Sequence, residues 1–185
     1  MNTMRRKTIA LSVTLLGSVA IYLTLTVQAR MLPPLITSPL NASSVLHGPL
    51  DMDNWACEGY EGASGHVSMD NGIIAATCFR TDGTDWHYQI HQNGINLEEG
   101  KRYTIAFSAR SDQSTSMWVE AIVDQADFHD IGMKRQISIG REWKTYTWTF
   151  TASGVIKNHI LAPQFEVGHQ PGTIWLANVR LWSVS

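Results

Sequence analysis

Between residues 97 and 110 apolar and polar side chains alternate one by one. Tyr103, Ile105, Phe107 and Ala109 fall on one face, and Thr104, Ala106, Ser108 and Arg110 on the other. A period of two marks a strand with one dry side. Comparable segments follow one another at 66–69, 73–78, 86–91, 117–124, 136–139, 144–151, 159–167 and 173–182, separated by Gly, Asp, Asn and Ser. Asp70-Asn71-Gly72, between the first two of these, predicts a hairpin, because Asn and Gly both tolerate the positive φ of a tight turn. No stretch carries a helical period. About seven to ten strands without helices predict an all-β fold, a jelly-roll β-sandwich of two antiparallel sheets over residues 51–185.

The start of the chain concerns delivery. Arg5, Arg6 and Lys7 precede an apolar run from Ile9 to Val27, and Val27-Gln28-Ala29 has the small-residue spacing of a cleavage site. Residues 1–29 are therefore expected to be a signal peptide or, since the run approaches the ~20 residues that span a bilayer, an uncleaved N-terminal membrane anchor. The cationic cluster keeps the N-terminus cytoplasmic in both cases. The expected localisation is extracytoplasmic, secreted or tethered to the outer face of the membrane, with membrane contact only through the N-terminal segment. Residues 30–50 are rich in Pro, Ser, Leu and Asn and suit a linker or a loosely laid first strand.

Charge narrows the partners. Three of the 14 basic residues and none of the 16 acidic ones lie in 1–29, which leaves 11 basic against 16 acidic residues, net −5, in the remainder. No basic cluster follows the leader, so nucleic acid is not an expected partner. The two cysteines, Cys57 and Cys78, both lie in the exported part. A disulfide closing a loop of about 20 residues is the favoured reading, with two buried thiols as the alternative.

Several motifs then fall into a characteristic order: Trp86 with Gln89-Ile90, the stretch 97–110 (LEEGKRYTIAFSAR), Trp143-Lys144-Thr145-Tyr146 with Phe150-Thr151, Phe165-Glu166-Val167-Gly168, and 172–181 (GTIWLANVRL). From about Asn54 to Leu181 the chain resembles the cellulase-C-type carbohydrate-binding modules, the galactose-binding-like jelly rolls of families four, nine, sixteen, twenty-two and their relatives. The resemblance implies non-catalytic binding of a polysaccharide or oligosaccharide along a groove on one sheet, in a module of the type associated with glycoside hydrolases. Many members hold a structural calcium ion with an Asp in the final strand, where this chain has Ala177 before Asn178. Calcium wants six to eight oxygens, and Asp51 and Asp53 are the carboxylates left to contribute.

Parity sorts the two faces of each strand, and the resemblance implies that the Gln89 side, with the polar positions of 159–167, faces the groove. In 86–91 parity sends Trp86, Tyr88 and Ile90 inward and His87, Gln89 and His91 outward, and in 159–167 it turns Gln164 and Glu166 away from Leu161, Phe165 and Val167. Sugars present hydroxyl edges and flat C–H faces, so polar side chains beside an aromatic ring suit them. Trp118 and Glu120 are expected to complete a wall, Ala106 and Ser108 to leave room for the ligand, and Arg110 to stand at the rim. Trp118 is the preferred stacking platform, Trp175 the second, and Phe128 a loop candidate, while Trp55, Trp86, Trp143, Trp148 and Trp182 are expected in the core or sealing edges. The bland reading is a solvated sheet face.

Two other functions were weighed. A glycosidase needs two carboxyl groups about 5–10 Å apart, and Glu120 with Glu166 is the one pair that could serve. His87 and His91 would lie roughly 13 Å apart on a strand, too far to share a metal ion. A structural or adhesive, protein-binding sandwich is the alternative that fold alone leaves open.

Overall fold

A computed structural model describes residues 32–37, 42–48 and 51–184. The leader or anchor expected at 1–29 lies outside the described residues. Among the described residues no helix is long and apolar enough to cross a membrane.

Among the described residues ten strands run β1 Ala56–Gly59, β2 Ser64–Asp70, β3 Ile73–Arg80, β4 Tyr88–His91, β5 Arg102–Ser111, β6 Thr115–Val123, β7 Asp130–Ile139, β8 Lys144–Thr151, β9 Ile160–Glu166 and β10 Gly172–Val184, with short 3-10 turns at Met52–Asn54 and Asp85–His87. They form two five-stranded sheets, β1-β4-β9-β6-β7 and β2-β3-β10-β5-β8. Every pairing is antiparallel. This is the two-sheet sandwich that the alternation predicts. Asn71 and Gly72 close the β2–β3 hairpin with φ of 48° and 75°, the left-handed pair that a two-residue turn requires.

The core lies between the sheets. Phe107 of β5 meets Phe165 of β9 edge to face at 5.1 Å and stacks on Tyr146 at 5.4 Å, so one ring joins both layers. Trp55 stacks on Phe165 from the opposite side, at 6.3 Å. Gly65 of β2 sits against Tyr88 of β4, where a Cβ would overlap both the Thr77 carbonyl and the Tyr88 ring.

The structure corrects two sequence expectations here. Ala106, Ser108 and Arg110 do not border the sheet that carries Gln89, because β5 belongs to the other sheet. Their face is covered in part by the chain's own approach segment. The Pro34 carbonyl accepts from Ser108 Oγ at 3.4 Å and from Asn178 Nδ2 at 2.9 Å, Ser44 bridges to Trp182, and Val45 donates to the Leu181 carbonyl at 2.9 Å. Ala106 and Ser108 are both buried.

The disulfide is the second correction. Cys57 on β1 and Cys78 on β3 are free thiols, on strands of different sheets. The Tyr88 hydroxyl stands between their environments. It accepts from Cys57 Sγ at 3.3 Å, and its pKa is raised by burial first and then by both cysteines. Cys78 instead faces the Arg80 carbonyl at 3.5 Å. Burial pushes both thiols above the ordinary cysteine range.

Candidate functional site

The outward face of the β1-β4-β9-β6-β7 sheet is built from two unbroken cross-strand rows. Ladder register places Glu58, Gln89, Glu166, Trp118 and Gln136 side by side in one row. The next row runs Ala56, His91, Gln164, Glu120 and Lys134. Side chains two apart on a strand share a face, so all ten point the same way. The middle strands are withdrawn from solvent: Gln89, His91, Gln164, Glu120 and Glu166 are buried, whereas Lys134 and Gln136 on the β7 edge are exposed. Beyond Trp118 and Gln136 the face continues through the paired Ser116 and Ser138 into an open cleft of about 500 Å³, lined also by Thr115, His169 and Gln170.

A polar network fills these rows. Gln89 Nε2 donates to Glu58 Oε2 at 3.3 Å, and Gln164 Nε2 to Glu166 Oε1 at 3.4 Å. Lys134 Nζ pairs with Glu120 Oε1 at 2.7 Å, and His91 Nε2 lies 3.5 Å from Glu58 Oε2. Tyr60 also donates its hydroxyl to Glu58. Burial pushes the Glu58 carboxyl up, but Tyr60, His91 and Gln89 outweigh it and hold the group below the ordinary glutamate range. Glu166 goes the other way. Burial, reinforced by the charges of Glu120 and Asp85 and only partly relieved by Lys134 and Gln164, pushes its pKa up to about 7. Two buried atoms of the second row, Gln164 Oε1 and His91 Nδ1, have neither a hydrogen-bond nor an ion-pair partner among the described residues. A buried acceptor left unmet costs about 1–3 kcal/mol, which a ligand can relieve.

The aromatic element is only partly the expected one. Trp118 lies in the first row, but its indole N–H is given to Asp85 Oδ2 at 3.1 Å and Lys134 Nζ sits 5.1 Å from its ring centre. Trp86 is not in the core as expected. The 3-10 turn Asp85–His87 breaks the alternation before β4 and leaves Trp86 47 % exposed. Its ring lies 5.7 Å from that of Tyr60, itself 39 % exposed, and is backed edge-on by His87 at 4.1 Å. The pair stands beside the Glu58 end of the first row, since Tyr60 follows β1 and Trp86 precedes β4.

Of the eight expected ligand residues, the structure gathers six on one face: Gln89, His91, Trp118, Glu120, Gln164 and Glu166. His87 is buried, its Nδ1 held 2.9 Å from Asp82 Oδ1, and it supports Trp86. Arg110 is on the opposite sheet, its guanidinium 4.2 Å over Trp175 and 5.4 Å from Trp143, which places Trp175 there as well. Glu58, Tyr60, Asp85 and Lys134 were missed. The alternation of Ala56 and Glu58 against Cys57 was the available clue for the first of these, but four residues make a faint strand signature.

The residues nominated for calcium do not fit that ion. Asp51 Oδ1 accepts from the Asp53 N–H at 3.0 Å as the cap of the first 3-10 turn. Ala177 brings no carboxylate, and among the described residues no group of three or more His, Cys, Asp or Glu could hold a metal ion.

Residues 49–171 match a family model described as a carbohydrate binding domain, CBM_4_9. Among solved structures, one described as "CBM4 structure and function" aligns with a TM-score of 0.63 at 23 % identity, over 72 % of this chain and 92 % of the other. The N-terminal cellulose-binding domain of Cellulomonas fimi β-1,4-glucanase C aligns at 0.58 and 19 % identity, over 80 % and 99 %. The family 11 carbohydrate-binding module of cellulosomal cellulase Lic26A-Cel5E of Clostridium thermocellum aligns at 0.53 and 15 % identity, over 80 % and 97 %. At these identities the structures share the fold. No curated protein matches the chain.

Proposed function

The chain belongs to the carbohydrate binding domain family, and from that premise we propose that the two cross-strand rows are its glycan-binding groove. One observation carries this placement. Gln164 Oε1 and His91 Nδ1 are buried without partners in the middle of a polar floor, as expected of atoms that meet a ligand's hydroxyl groups. The exposed Trp86–Tyr60 pair offers flat apolar surface for a pyranose ring at one end. Gln89 orients Glu58, and Lys134 holds Glu120, so the floor is fixed before a ligand arrives.

We read the domain as binding without catalysis. Glu120 and Glu166 lie diagonally on neighbouring strands of one floor, with Glu120 tied to Lys134, rather than facing each other across a gap. Export of the domain, by a cleaved or retained leader, is part of the same reading.

Binding to a panel of soluble and insoluble glycans tests the site. Trp86→Ala and Gln164→Ala are expected to weaken binding about tenfold each, while Arg110→Ala on the far sheet leaves it unchanged. Trp86→Ala should leave thermal unfolding nearly unmoved, because the ring is half in solvent. Equal loss from Arg110→Ala, or no glycan bound at all, would return the face to a structural role.

A further inference from the structure

Gln89 Nε2 gives one of its two N–H groups to Glu58, Gln164 Nε2 one of its two to Glu166, and the Trp118 indole its single N–H to Asp85. Gln164 Oε1 and His91 Nδ1 stay without partners among the described residues. The imbalance of the groove is one of charge. Glu58 from β1, Glu166 from β9, Glu120 from β6 and Asp85 from the 3-10 turn face, among the described residues, Lys134 from β7 as the one fixed cation, with His91 and His169 as the titratable ring neighbours.

Three of those carboxylates have a basic neighbour within ion-pair distance. Lys134 lies 2.7 Å from Glu120, His91 3.5 Å from Glu58 and His169 3.2 Å from Asp85. Glu166 has none among the described residues. Its hydrogen bond is to a neutral amide, at 3.4 Å, and it occupies the centre of the first row between Gln89 and Trp118. A buried carboxylate without a cation is costly, and the ordinary remedy is a cation brought to it.

We propose that the groove takes a glycan bearing free amino groups, with a sugar ammonium seated on Glu166 and flanked by Gln164 Oε1. The proposal rests on the groove being the glycan site and names the class of sugar it selects. An ammonium supplies three donors and one positive charge, which meets the open Gln164 Oε1 and the shortage of positive charge together. An N-acetyl group at the same position would remove that charge and put a methyl against a polar floor. A uronate would add a negative charge beside four carboxyl groups. The exposed faces of Trp86 and Tyr60 add attraction for a cation or for the C–H face of the ring. The raised pKa of Glu166 agrees with a site short of positive charge.

The test is titration calorimetry of the full chain with four oligomers of matched length: glucosamine, N-acetylglucosamine, glucose and galacturonate. The glucosamine oligomer is expected to bind about tenfold more tightly than the glucose one, and the galacturonate oligomer not at all. In Glu166→Gln the ratio of glucosamine to glucose affinity should fall from about tenfold to about one. Raising salt should erode the preference in the parent chain and leave glucose binding level, a readout that stands even if the variant folds poorly. Equal or tighter binding of the glucose oligomer overturns the amino-sugar inference and leaves the groove assignment standing. Failure to bind any of the oligomers, or any glycan of the wider panel, overturns both.

Discussion

Glu166 concentrates the chemistry of this face in one side chain. Its carboxyl titrates near 7 in the folded chain against roughly 4.3 for a free glutamate. The folded state therefore holds a proton that the unfolded state has already released across that interval, and stability falls as pH rises from about 4.5 to 7. Below that window both states are protonated and this group adds no slope. Urea unfolding at pH 5 and pH 7.5 should show the parent chain losing more stability at the higher pH than Glu166→Gln, whose neutral amide keeps the shape without the charge. A parallel pH response in both would mean that the carboxyl is better solvated than its surroundings suggest. The aromatic side chains show where reading residues singly failed. Trp118 was legible as part of the outward polar face because it alternates with buried neighbours. Trp86 was not, because parity assumes a strand and a single 3-10 turn resets it.

At the scale of elements, alternation located the strands and their inward faces. Asn71-Gly72 gave the hairpin, and Gln89, Gln164 and Glu166 shared a face as their registers implied. What alternation could not supply was the sheet to which each strand belongs. Arg110, Ala106 and Ser108 have the same parity signature as Gln89, yet β5 sits in the other layer. Long-range pairing decides that, and it leaves no local trace in the sequence. The disulfide failed for a related reason, since separation along the chain says nothing of Tyr88 standing near both thiols. The contact between Gly65 and Tyr88 joins the two layers at the start of β4, the strand that carries Gln89 and His91. Gly65→Ala is expected to cost about 1–3 kcal/mol, as overpacking against unyielding backbone does, and to weaken glycan binding as well by displacing β4. Chemical denaturation alongside a binding isotherm measures both. Stability lost with binding intact would show that Tyr88 moves without its strand.

The whole molecule separates its tasks by face. Phe107 and Phe165 hold the sheets together from within, while the polar rows use the reverse of the same strands. Phe107→Ala is expected to cost about 3–5 kcal/mol and to lower the melting temperature in a single transition, with affinity per folded molecule unchanged. Calorimetry with and without ligand checks this, and two resolved transitions would show that the sheets fold apart. The approach segment adds a further consequence. Pro34, Ser44 and Val45 are fastened to β5 and β10, on the layer opposite the polar rows. A bead, a dye or a fused enzyme coupled to this segment is joined to the back of the sandwich and leaves the opposite face unobstructed.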